Sequence, residues 1–184
     1  MSESFAGGPL GTAVDGFCDG VTASLLEVTR ASNGDIAASA EDLAGDVTIE
    51  AYRIASAFID SDGRHSDDEL LPLIATFGAR IDTQLGGATP TTVREAGLIK
   101  GARRWLDRPS DLFEILLGAD RARGTGFALG YYRSAMEIAH TIVALDVIST
   151  EGELAAIDAF RTMLLGRIGP GRANLIGPGK DGNR

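Results

Sequence analysis

An all-α fold is what this 184-residue sequence predicts, and three observations carry the prediction. Apolar residues recur at intervals of three and four, the spacing that lines one face of a helix. The alternation of β-branched and polar residues that marks half-buried strands is absent. Proline and hydroxyl residues stand where new helices would begin. About seven helices can be counted in this way.

Taken in order, Val14, Phe17, Cys18, Val21, Leu25 and Val28 form the first apolar stripe. A second helix carries Ile54, Ala55, Phe58 and Ile59 up to an acidic loop. Beyond it, Leu70, Leu73, Ile74, Phe77, Ile81 and Leu85 make another stripe, with Pro72 placed to remove one helical hydrogen bond and bend the helix. Thr89-Pro90-Thr91 starts a helix over Val93 to Trp105, and Pro109-Ser110 starts one before Leu112 to Leu117. The segment Phe127 to Leu145 is apolar around most of its circumference and is expected to be the central, most buried helix. Leu154, Ile157, Phe160 and Leu164 form the last stripe. Glycines gather at both ends, with Gly-Pro-Gly twice after Gly166. The expected organisation is a flexible start over 1–13, one helical domain over 14–166, and a basic Gly/Pro-rich linker or tail over 167–184.

The formal net charge is −9, which argues against nucleic acid or an anionic membrane surface as the main partner. Its distribution is uneven: residues 35–69 contribute −8 and residues 134–160 contribute −5, whereas residues 161–184 give back +4. Such acidic foci suit a cation or a basic partner, or form solvated helix faces. One cysteine, Cys18, cannot form an internal disulfide, and a reducing, cytoplasmic setting is the simpler expectation. No apolar run approaches the length of a membrane span.

An internal repeat carries the functional reading. At an offset of 84 residues, Asp62-Gly63-Arg64-His65-Ser66-Asp67-Asp68-Glu69-Leu70 aligns without gaps onto Asp146-Val147-Ile148-Ser149-Thr150-Glu151-Gly152-Glu153-Leu154. The preceding helices match too, pairing Ile54 with Ile138, Ala55 with Ala139, Phe58 with Ile142 and Ile59 with Val143, as two related helix-loop-helix units would. Ser66 and Thr150 stand three residues before Glu69 and Glu153, the capping-box spacing, and Asp67 and Glu151 fall in the first turn, where the helix dipole favours negative charge. Capping leaves Asp60, Asp62 and Asp146 unexplained. Asp60-Ser61-Asp62-Gly63 followed by Glu69 is similar to the later part of an EF-hand loop, but the first ligand position of that register falls on Phe58, so a full EF-hand is not expected.

The helix ending in an aspartate, the D-G-x-x-S-x-x-E loop and the second acidic copy together resemble the TerB-like family, named for bacterial tellurite resistance, over roughly residues 46–166. The resemblance implies two helical hairpins packed about a pseudo-twofold axis, and acidic loops that bind a divalent cation, calcium or magnesium. It also implies a non-catalytic adaptor in a stress-response assembly, with a protein partner such as a fused or associated ATPase. Carried over by position, the ligand candidates are Asp62, Asp67 and Glu69 in the first copy and Asp146, Glu151 and Glu153 in the second, with Asp60 added by its place in the loop. Val147 departs from the glycine usual in the family, which weakens the second copy. The alternatives are a metal-assisted hydrolase drawing carboxylates from both loops, and a scaffold in which these residues only cap helices.

Other chemistry finds little footing. Lys180 follows Gly179, but Asn174 and Asp181 break the P-loop pattern, and Gly124-Thr125-Gly126 starts no dinucleotide fingerprint. Two histidines without metal-ligand spacing argue against structural zinc. His65 is expected to be a solvated loop residue, and His140 a core histidine. No G-x-S-x-G elbow is present. Trp105, amid Arg103, Arg104 and Arg108, is expected to cap the core while the arginines face water or pair with an acidic helix.

Overall fold

The computed structural model describes residues 8–31, 40–81, 84–145 and 150–169. Among these the chain is all-helical: α1 Pro9–Ala31, α2 Ala40–Ile59, α3 Asp67–Phe77, α4 Pro90–Ala96, α5 Asp111–Arg123, α6 Phe127–Val143 and α7 Glu151–Ile168, with a short 3₁₀ turn at Ala102–Leu106 between α4 and α5.

Three long helices, α1, α2 and α6, pack against one another at the centre, and α5 and α7 flank α6. The first stripe does its expected work: Val14, Phe17, Val21, Leu25 and Val28 are all buried. α1 nevertheless begins at Pro9, inside the stretch expected to be loose, because Leu10 and Ala13 are also buried against the core. Proline at the first helical position loses no hydrogen bond, since that N–H has no partner within the helix. The four residue pairs matched by the repeat, from Ile54 with Ile138 to Ile59 with Val143, are buried on both helices. Edge-to-face aromatic contacts knit the core, with Tyr131 set 5.2 Å from Phe17 and 5.4 Å from Phe113, and Phe58 5.6 Å from Phe160.

Three expectations need correction. The stripe from Leu70 to Leu85 is not one helix, because α3 ends at Phe77 and Ile81 and Leu85 lie beyond it, with Leu85 still fully buried. The run Val93 to Trp105 is not one helix. Gly97 (φ +63°) takes the left-handed conformation that ends α4, and Gly101 (φ +81°) takes it again before the 3₁₀ turn. The last apolar stripe is also shorter than expected, because Leu154 is 52% exposed although its repeat counterpart Leu70 is fully buried. Pro72 lies inside α3, where its missing N–H leaves the Asp68 carbonyl without its usual helical donor.

The start of α6 is capped from a distance. Its own N-cap position, Gly126, has no side chain to offer. Asp120 of α5, only 2% exposed, supplies the acceptor instead, taking hydrogen bonds from Thr125 Oγ1 (2.6 Å) and from the backbone N–H groups of Phe127 (2.8 Å) and Ala128 (3.0 Å). These are among the four amide groups that any helix start leaves without an internal acceptor. The Gly124-Thr125-Gly126 turn therefore serves to bring α6 back onto a carboxylate of the preceding helix.

Candidate functional site: the acidic loops and a cleft beside α2

The first loop opens where α2 ends. Asp60 is buried, with Oδ1 accepting from His65 Nε2 at 2.8 Å and Oδ2 accepting from the backbone N–H of Arg103 at 3.1 Å. It therefore ties the loop to the 3₁₀ turn. His65 is mostly buried and adopts a left-handed backbone (φ +51°), so it is a built part of the loop and not the solvated residue expected. Asp62 Oδ1 accepts from the N–H of Arg64 at 2.8 Å, closing an Asx turn with Gly63 at φ +74°. Ser66 and Glu69 form the expected capping box, with Glu69 Oε2 accepting from the Ser66 N–H at 2.8 Å. Asp67 is exposed and paired with Arg94 Nη1 at 2.6 Å, and the same nitrogen donates to the His65 carbonyl at 3.0 Å.

The second copy forms its capping box as well. Thr150 caps α7, and buried Glu153 returns Oε2 to the Thr150 N–H at 2.5 Å. Glu151 is exposed, and Asp146 lies outside the described residues. The two copies meet: a β-carbon on Gly152 would stand 3.6 Å from Asp62 Cβ and 3.8 Å from the Ser61 carbonyl oxygen. Beside this contact, three buried oxygens have no hydrogen-bond partner among the described residues: Asp62 Oδ2, Ser61 Oγ and Glu153 Oε1. Arg64 Nε stands 3.7 Å from Asp62 Oδ2, outside hydrogen-bond reach. Among the described residues no three His, Cys, Asp or Glu side chains gather into a metal-binding group. The oxygens that do remain are of the carboxylate and hydroxyl kind that hard cations accept.

A second feature was not anticipated from the sequence. A cleft of about 280 Å³ opens among α2, the 3₁₀ turn, α5, α6 and α7. Its floor holds Glu50, whose side chain is only 7% exposed. Glu50 Oε1 accepts from Tyr131 Oη at 2.5 Å, and Tyr131 Oη also contacts Ser110 Oγ at 3.2 Å. Burial, reinforced by the neighbouring Glu50 charge, pushes the Tyr131 phenol well above its ordinary value of 10.0. At the mouth, Arg53 lies over the Trp105 ring at 4.6 Å and Arg104 at 5.6 Å, so both arginines pair with the indole. Trp105 is 40% exposed and does not cap the core. One signal in the sequence could have marked the floor: Glu50 sits three residues after Val47 and four before Ile54, a carboxylate in the middle of an apolar face. His140, expected in the core, is exposed on α6.

The fold and these two features define an all-helical domain with an acidic loop junction and a polar-floored cleft. No family model, no curated protein and no solved structure matches the chain. No helix among the described residues is long and apolar enough to cross a membrane.

Proposed function

We propose that this chain is a non-catalytic helical interaction module of the TerB-like kind, in which a divalent cation, calcium or magnesium, clips the first loop to the start of α7 through Asp62 and Glu153. The observation that carries the reading is the pair of buried carboxylate oxygens, Asp62 Oδ2 and Glu153 Oε1, left without hydrogen-bond partners among the described residues, on the two segments that meet at Gly152. A buried carboxylate oxygen without a hydrogen-bond donor is costly, and a cation is the simplest group that would offset two of them at once. Asp60, Asp67 and Glu69 already serve His65, Arg94 and the α3 cap, so the clip draws on fewer residues than the repeat alone implies. Leu71 and Leu154, 51% and 52% exposed within the first five residues of α3 and α7, offer apolar contacts beside the loops for a protein partner.

The test is thermal unfolding with chelator, then with calcium or magnesium, on the parent and on Asp62→Asn. A cation held at a tenfold excess over its Kd adds about 1.4 kcal/mol, or roughly 3–6 °C for a domain of this size. The parent should gain this and Asp62→Asn should not. The capping scaffold is the rival reading, favoured by the two complete capping boxes. It predicts no cation effect in either protein below millimolar concentration, and that result would end the clip.

A further inference from the structure

The cleft beside α2 presents opposite charges on either side of a short gap, with an apolar wall behind them. Glu50 Oε1 is taken by Tyr131, but Oε2 faces Arg53 Nη1 at 4.0 Å, too far for a hydrogen bond. The Arg53 side chain is 44% exposed and rests on Trp105, so its guanidinium is oriented at the mouth while its outer donors stay open. Arg108 also lines the cleft, as do two further carboxylates, Asp46 and Asp111, so acidic and basic groups are both present around it. Ile54, Leu112, Phe160 and Leu164 supply the wall. A carboxylate on the floor alone would select a cation, and arginines at the mouth alone would select an anion. Both together, with an apolar surface between α2 and α7, match a ligand that carries an ammonium and a carboxylate on one carbon and an apolar group beyond it.

We infer that this cleft is a binding site for a small zwitterion, a free α-amino acid with an apolar side chain. Its ammonium donates to Glu50 Oε2, its carboxylate accepts from Arg53 and Arg108, and its side chain lies against Ile54, Leu112 and Leu164. Tyr131 is a positioning residue: its hydroxyl donates to Glu50 Oε1, is itself contacted by Ser110 Oγ, and leaves Oε2 for the ligand. The site is separate from the loop junction and stands whether or not a cation binds there.

Trp105 is the chain's one tryptophan, so its fluorescence reads the cleft directly. The probes are L-leucine, leucinamide, which lacks the carboxylate, and 4-methylpentanoate, which lacks the ammonium. L-leucine should shift the Trp105 emission saturably, and each truncated probe should bind about tenfold more weakly, the loss of one charge-assisted contact. Arg53→Met, at an exposed position, should keep the fold and weaken L-leucine by about tenfold, while Glu50→Gln, which still accepts from Tyr131, should do the same through the ammonium. No emission change up to about 10 mM L-leucine would overturn the site. Equal binding of 4-methylpentanoate and L-leucine would overturn the zwitterion.

Discussion

Replacing Asp120 by alanine should be among the most damaging single changes outside the aliphatic core. The carboxylate is 2% exposed and accepts from one hydroxyl and two backbone N–H groups at 2.6–3.0 Å, and those amides open α6. Hydrogen bonds to a charged acceptor contribute about 1.5–3 kcal/mol each, and loss of a helix cap alone costs about 0.5–2 kcal/mol. The contributions overlap, because all three donors share one turn. An expected loss of about 3–4 kcal/mol follows, a large fraction of the roughly 5–15 kcal/mol of a typical domain. In a domain of this size that lowers Tm by roughly 6–16 °C. Asp120→Asn keeps one acceptor oxygen and should lose about half as much. Far-ultraviolet circular dichroism with heat and with urea, at an unchanged m-value, measures both variants. If Asp120→Ala falls within about 1 kcal/mol of the parent, α6 does not depend on this remote cap.

Tyr131→Phe removes the donor to the buried Glu50 Oε1 and should cost about 1–3 kcal/mol by urea unfolding. Because the folded-state phenol titrates above its ordinary value of 10.0, the native state keeps a proton that the unfolded state releases. That contribution is fully present below pH 10 and is lost as pH rises beyond it, so the decline of stability above pH 10 should be shallower in Tyr131→Phe. Gly78→Ala should destabilise by about 1–3 kcal/mol, since its β-carbon would stand 2.7 Å from the Ile74 carbonyl oxygen and 3.2 Å from that of Leu85, both backbone atoms. Ser66→Ala and Thr150→Ala should each cost about 1 kcal/mol in denaturant titrations, by loss of the α3 and α7 caps.

How much of this was legible beforehand depends on the range of the interaction. The helix starts at Ser66, Thr89, Ser110 and Thr150 were read from the chain because a cap and its helix are neighbours in sequence, and all four accept the expected amide hydrogen bond. The stripe of α1 was readable for the same reason: helical spacing puts neighbouring turns on one face. Leu154 and His140 were misplaced because periodicity says which residues share a face, not which face another helix covers. His65 was misread because its partner Asp60 is engaged only once the loop turns back on itself.

By itself, then, the sequence determined the all-helical class, the caps at Ser66, Thr89, Ser110 and Thr150 and the two acidic copies, all of which are settled within a few residues of chain. Only the tertiary structure decided which carboxylates are spent and which are left over. Asp60 is joined to Arg103 across 43 residues, Glu50 to Tyr131 across 81, and the Asp62 loop to the start of α7 by a contact at Gly152. A carboxylate's chemistry depends on the donors and the solvent around it, and these come from whichever helices pack beside it.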